Sequence, residues 1–387
     1  MPYPEIFLNA YDCVTPAGQG VALLLESLFA ERTHLHPFRN IPQGALPPAI
    51  NEILDSLQAE KLLRNQDRTS LIAVHLARTL MATAAMVDRT STGVILGSSR
   101  GSTHSLEKAW QAFREKERLH PSTSPSTTAS SLAAVVARDL QLEGPSFSLS
   151  AACSTGLYAV LQGVAGLLSG QAETMLVGGI EAANTDFTFA MLRAAKVLNP
   201  NLDEEFPCRP GHPSRAGMVL SEGGALLSLS LSRQPHSKSK IIGWGAATES
   251  GTLTGVSEGG EALSAAITKA FRIAEISSHE VDFIVGHGAG TYKGDNSERA
   301  AYHAHFTDLP PLVWHKWCSG HMLGASAALS VMLATEHLVC GKLPPHPYLN
   351  TGEAMRPALV IDSPKIALVT SMGFGGSACA LLVKNLI

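Results

Sequence analysis

The sequence predicts a layered α/β fold built from two similar halves, and three observations carry that prediction. Short apolar strand patterns alternate with amphipathic helical ones along the chain. Three local patterns recur in the same order in both halves, as a duplicated fold requires. The residues best suited to chemistry sit where strands end and helices begin, the place where open α/β sheets gather reactive groups.

Each element can be justified in turn. Val94-Ile95-Leu96-Gly97-Ser98-Ser99-Arg100-Gly101 reads as an apolar strand running into a polar turn, and Phe283-Ile284-Val285-Gly286-His287-Gly288-Ala289-Gly290 is its counterpart. The run from Pro121 to Ser131 is rich in Ser and Thr, and because Leu132-Ala133-Ala134-Val135-Val136 follows at once it is expected to form an ordered interior loop. Gly144-Pro145 breaks the chain before Ser146-Phe147-Ser148-Leu149, whose alternation marks a short strand. In the helix that follows, Leu157, Val160, Leu161, Val164, Leu167 and Leu168 repeat at three- and four-residue spacing, and Gly170 is its stop. The turn entering it, Ala152-Cys153-Ser154-Thr155-Gly156-Leu157, resembles Trp317-Cys318-Ser319-Gly320-His321-Met322. Thr174 to Gly178 reads as a strand, Glu261 to Ala274 as a helix and Val281 to Gly286 as a strand. The third matched pair is a glycine turn entering a buried strand, at Gly223 to Ser230 and again at Gly375 to Leu382. The polar, aperiodic stretch from Ser232 to Lys240 separates the halves, expected at residues 1–235 and 236–387.

Composition narrows the function. With 387 residues, 45% hydrophobic and 16% charged, the chain can bury a large core. Its 29 basic and 33 acidic residues give a net charge of −4 with no long basic run, so nucleic acid and anionic membrane are poor partners. Six cysteines, at 13, 153, 208, 318, 340 and 379, form no CxxC pair, which suggests a reducing compartment. No stretch of about 18 uninterrupted apolar residues and no signal-like N-terminus is found, and the expectation is a cytoplasmic protein.

Three residues are candidates for catalysis. Cys153 lies near a helix N-terminus, where free amides and the helix dipole favour a thiolate, although a buried structural cysteine is the plainer reading of that window. His287 stands at the end of an apolar strand over Gly288 and Gly290, and His321 at a turn that opens a helix. Glu298 and Lys316 would satisfy one another if both point inward.

At this point the motifs resemble a family. Ala152-Cys153-Ser154-Thr155-Gly156, His287-Gly288-Ala289-Gly290-Thr291 through Gly294-Asp295 to Glu298, Lys316 through Gly320-His321 to Gly324-Ala325, and Gly373-Phe374-Gly375-Gly376 resemble the β-ketoacyl-acyl carrier protein synthases of the elongating, Cys-His-His type. Gln66-Asp67-Arg68-Thr69, Gly178-Gly179-Ile180-Glu181-Ala182, Arg209-Pro210, Ser214-Arg215-Ala216-Gly217 and Ser221-Glu222-Gly223-Gly224 extend the match over essentially the whole chain. The resemblance implies a thiolase-like five-layered α/β/α/β/α sandwich of two duplicated halves. It implies that Cys153 takes an acyl group from an acyl carrier protein, and that His287 and His321 promote decarboxylation of a malonyl thioester whose enolate attacks the acyl-enzyme. The amides of Cys153 and Phe374 would form the oxyanion hole, Phe374 would be the gatekeeper, and Lys316 and Glu298 a structural ion pair. No cofactor is implied beyond the carrier's phosphopantetheine, and the assembly expected is a homodimer or a heterodimer with a second ketosynthase-like subunit. Fatty-acid synthesis and type II polyketide or aryl polyene synthesis both fit.

Two features depart from the family's usual pattern. Ala289 replaces a threonine that commonly helps hold the malonyl or phosphopantetheine group, while Thr291 is kept. Ser98 to His104 is more polar than the glycine and aliphatic run usual near the family's acyl pocket and dimer interface, so either an unusual acyl chain, such as an aryl, polyene or short primer, or a different partner subunit is expected. Among competing readings, His315, Cys318 and His321 have a spacing that could suggest metal, yet a catalytic zinc needs three well-oriented ligands with a supporting shell, and no metal is expected. The glycines from Gly286 to Gly290 lack the Gly-Lys-Ser/Thr ending of a phosphate loop. A degradative thiolase would need a second cysteine before Gly375-Gly376, and an initiating synthase would carry asparagine at His321. A chain-length-setting partner subunit with little catalysis of its own would usually have lost the nucleophile that this chain keeps.

Overall fold

A computed structural model of the chain describes residues 3–38, 40–83, 88–116, 118–201, 204–250, 256–349 and 358–387. The first half contributes strands β1 (Ile6–Thr15), β2 (Thr92–Gly97), β3 (Ser146–Leu149), β4 (Thr174–Glu181) and β5 (Gly223–Ser230). The second half contributes β6 (Ser239–Thr248), β7 (Phe283–Val285), β8 (Leu312–Val313), β9 (Ile366–Gly373) and β10 (Ser377–Asn385). Their spatial orders are β3-β2-β4-β5-β1 and β8-β7-β9-β10-β6. Numbered within each half, both orders read 3-2-4-5-1.

The directions repeat as well. The second strand of each half is parallel to the third and fourth. The fifth is antiparallel to the fourth and to the first. Short apolar strands such as Phe283–Val285 are buried on both faces, as parallel strands covered by helices must be. The two sheets run into one another where the first strands meet, Ile6 opposite Ile241 and Leu8 opposite Ser239. The layers therefore share an edge as well as a core.

Helices complete the five layers. On the outer face of the first sheet lie α1 (Arg68–Thr83) and α2 (Ser131–Leu140). Between the sheets lie α3 (Thr155–Leu168) and α7 (Leu323–Cys340), and α4 (Glu261–Ala274) covers the outer face of the second sheet with α5 (Tyr292–His303) against it. Helix α7 is long and apolar enough to cross a bilayer by length and composition, yet fifteen of its 18 residues are buried, because it touches both sheets. Its weak amphipathicity has the same cause: a helix in the middle layer has no wet face.

The two central helices approach almost backbone to backbone. A Cβ on Gly156 would stand 2.7 Å from the Ala328 nitrogen and 2.8 Å from the Gly324 oxygen. Only glycine permits that contact.

One expectation needs correction here. The run from Pro121 to Ser131 is ordered, but it forms a short helix, Thr123–Thr127, at the surface rather than an interior loop. Ser126, Thr127 and Thr128 turn their hydroxyls back onto carbonyls at positions 123 to 125, which satisfies the segment locally without burying it.

Candidate active site

Cys153 follows β3 and precedes α3 by two residues, so the thiol sits in a strand-to-helix turn. Ala152 is held at φ 48°, a left-handed conformation that costs a non-glycine residue about 1 kcal/mol. Hydroxyl groups hold it there. The carbonyl of Ala152 accepts from Ser99 Oγ and from Thr155 Oγ1, both at 2.6 Å, and the amide of Ala151 donates to Thr155 Oγ1 at 2.8 Å. From the second half, Ser371 donates to the Cys153 carbonyl and Ser377 to the Ala151 carbonyl, each at 3.1 Å. The turn that carries Cys153 is thus fixed by residues of both halves.

His287 follows β7 after one residue, Gly286. Its amide and that of Gly288 donate to the two oxygens of Glu298, the latter at 2.8 Å, while Lys316 Nζ donates to its carbonyl. Lys316 and Glu298 are both buried. They grip the same turn from its two ends, and among the described residues no direct ion pair joins them. The oxygen that accepts from the His287 amide is shared: Tyr302 donates its hydroxyl to the same Oε1 at 2.6 Å. Burial pulls the Lys316 ammonium below its usual range, opposed by the nearby Glu298.

His321 lies between Gly320, at φ 75°, and α7. Ser221 Cβ stands where a side chain on Gly320 would begin, so the turn admits glycine alone. The backbone of His321 pairs with Val219 and Ser221 of the first half, and its Nδ1 shares a hydrogen bond with Ser326 Oγ at 3.1 Å. Before it, the short helix α6 (Lys316–Ser319) inserts the lysine and buries Trp317.

All three chemical residues line one cavity of about 660 Å³, together with Phe374, Thr291, Ala289, Met218, Leu323 and Met372. The rings of His287 and His321 meet edge to face with centroids 5.4 Å apart. Burial, with Lys316 adding to it, lowers both imidazoles well below their ordinary value, so each is neutral at neutral pH. A neutral imidazole both donates and accepts, which is what proton transfer and oxyanion stabilisation require.

The thiol departs from the sequence-based expectation. Burial pushes Cys153 up to about 12, against the pull of Lys316 and its own amide. Desolvation outweighs the helix N-terminus, so the resting group is a thiol and needs a base when it reacts. His315 is also accounted for: its two ring nitrogens bond the hydroxyls of Ser319 and Ser330, and the spacing to Cys318 and His321 serves packing.

Glu181 entered the sequence reading only as part of a matched run, with no role given to it. This buried carboxylate closes β4 and accepts from Ser98 Oγ, the amides of Ser99 and Arg100, and the amide of Gly324 at 2.8 to 3.1 Å. It ties the loop after β2 to the start of α7. A lone acid ending the otherwise apolar run Met175 to Ile180 was the available signal.

The chain is also similar to known proteins. Residues 5–234 match the β-ketoacyl synthase N-terminal domain model and residues 239–350 the C-terminal one. The oxytetracycline polyketide β-ketoacyl synthase 1 of Streptomyces rimosus is 27% identical, covering 98% of this chain and 97% of its own. The 3-oxoacyl-[acyl-carrier-protein] synthase 2 of Vibrio cholerae is 29% identical over 76% of both chains. The solved ishigamide ketosynthase/chain length factor superposes over the full length of both chains with a TM-score of 0.88 at 22% identity. With the family model covering well over half of its length, this chain belongs to the β-ketoacyl synthase family.

Proposed function

We propose that the protein is a β-ketoacyl-acyl carrier protein synthase that elongates an acyl chain by decarboxylative condensation. The observation carrying this reading is that Cys153, from one half, and His287 and His321, from the other, line one cavity with the two rings in contact. In the first step the Cys153 sulfur attacks the carrier thioester. A neutral imidazole takes the thiol proton and returns it to the departing carrier thiol. In the second, a malonyl thioester loses carbon dioxide. His287 and His321 donate to the forming enolate oxygen, its carbon attacks the acyl carbonyl, and the Cys153 thiolate leaves. The amides of Cys153 and Phe374 are the donors to the tetrahedral oxyanion, and Phe374, partly exposed on the cavity wall, is the gate.

Lys316 and Glu298 act by holding His287, and Thr291, on the wall beyond Ala289, positions the incoming arm. The chemistry needs no cofactor beyond the carrier's phosphopantetheine. The partners of this reading are an acyl carrier protein and a second subunit, identical or ketosynthase-like; the exposed row Leu106, Trp110 and Phe113 on the helix Thr103–Lys116 suits a subunit contact. Six free cysteines suit a reducing, cytoplasmic setting.

The test is to incubate the protein with acyl carrier protein thioesters and search for an acyl adduct by mass spectrometry. The expected result is an adduct at Cys153, discharged when malonyl carrier protein is added. Absence of an adduct with every chain offered, with or without a partner subunit, rejects the synthase.

A further inference from the structure

Beside the catalytic cavity lies a second recess of about 200 Å³, under a third of its neighbour's volume. The two share Ser99 and Arg100, which line both, and Ser99 is the residue whose hydroxyl holds the carbonyl just before Cys153. An acyl group on Cys153 that turns past Ser99 would enter it.

Nine of the residues lining this recess are Ser or Thr, and among them stand Leu106, Leu132, Leu149 and Ala129, with Arg100 and Gly101 completing the wall. Several hydroxyls are spent on nearby acceptors, as Ser98 is on Glu181 and Thr69 is on the Gly101 carbonyl. Ser70, Ser102 and Ser150 make no side-chain hydrogen bond within the described residues. An alkyl chain would leave the buried Ser70 and Ser102 without partners, which costs binding energy, while Ser150 stands at the exposed side.

Arg100 supplies the charge. Its backbone amide is fixed by Glu181. Among the described residues its guanidinium has one polar contact, the thioether sulfur of Met191 at 3.2 Å, and sulfur is a weak acceptor. Among the described residues no carboxylate lines the recess or the catalytic cavity to compensate the guanidinium fork. Such a fork suits an oxyanion held by two parallel hydrogen bonds.

We propose that Arg100, with Ser70, Ser102 and Ser150, selects a short acyl group whose far end carries an anionic oxygen, a carboxylate in the simplest case. The inference rests on the synthase reading and adds the class of chain that Cys153 accepts. Binding pairs the terminal carboxylate with the guanidinium and gives the three hydroxyls an acceptor, and the small volume limits the reach of the chain.

The test uses the full-length protein and carrier protein loaded with hexanoyl, 6-hydroxyhexanoyl or adipoyl groups, which differ only at the far end. Adduct formation at Cys153 is followed by mass spectrometry. Adipoyl is expected to load about tenfold faster than hexanoyl, with the hydroxy chain between. Arg100→Met should remove or reverse that order while hexanoyl still loads, and Arg100→Lys should retain part of it. Equal or faster hexanoyl loading by the wild type overturns the inference and leaves the synthase standing. An unchanged order in Arg100→Met overturns it too. So does a variant that loads normally but releases carbon dioxide from malonyl carrier protein more slowly, since Arg100 would then serve the malonyl carboxylate. No adduct with any of the three chains, or with any other acyl chain, fails the synthase reading itself.

Discussion

The loop after the second strand occurs twice, once in each half, and the two copies solve one problem in different ways. Ser98 to Gly101 follows β2, and His287 to Gly290 follows β7 at the same place in the repeated topology. Both loops leave a strand with amides that the sheet no longer satisfies, and both present those amides to a buried carboxylate. The carboxylates come from different elements. Glu181 ends β4, whereas Glu298 projects from α5. In the first half four neutral donors surround the acid; in the second, a buried lysine lies across the turn from it. The repeat dictates where a clamp is needed. Its chemistry is settled locally, and the half that carries His287 has the charged version.

The same pairing holds one strand further on. The third strand of each half leads to a turn and a central helix, one turn presenting Cys153 and the other His321. Cys153 and His321 each stand two residues before a central helix, so in the proposed reaction the nucleophile and its acid-base partner would come from matching places in the two halves.

Several substitutions would break or sharpen this comparison. The largest effect is expected for His321→Ala, which should cut release of carbon dioxide from malonyl carrier protein by about 10²-fold or more while the Cys153 adduct still forms. If release were normal, the equivalence of the two turns would carry no chemistry. Lys316→Met removes the donor to the His287 carbonyl and the cation near buried Glu298, and should cost about 3 kcal/mol in denaturant unfolding, with activity lost alongside. Glu181→Gln keeps an acceptor among neutral donors and should cost about 1–2 kcal/mol; an equal loss in both variants would erase the distinction between the clamps.

A smaller effect concerns the thiol. With Cys153 raised to about 12, its modification by iodoacetamide should keep climbing as pH passes 9.0, the ordinary value for the group. A plateau at neutral pH would show that the helix N-terminus prevails over burial after all. The smallest change is expected for Ala289→Thr, which restores a hydroxyl to the cavity wall and should lower the KM for malonyl carrier protein by a few-fold with kcat nearly unchanged.

Much of this was legible in the residues. The strands Ser146–Leu149 and Gly223–Ser230 and the helix Glu261–Ala274 begin and end where their patterns do, because turn residues or a change of period bound each one. The strand read as Val281 to Gly286 is shorter, Phe283–Val285, since the residues around it serve loops that sequence patterns do not separate from strands. Charge at Cys153 was misjudged for a physical reason: a helix N-terminus is visible in sequence, whereas the depth of burial depends on the opposite half. Lys316 and Glu298 were recognised as partners, but the backbone turn between them belongs to tertiary structure. Arg100 carried a signal only as polarity in a place usually apolar.

The contact at Gly156 bears on timing. Helices α3 and α7 start at the two reactive turns, and their separation is set by main-chain atoms rather than by side chains that could adjust. The distance between sulfur and imidazole is therefore decided when the protein folds. Arriving substrates meet a gauge already closed, and the entropy of bringing the groups together is settled before the first turnover.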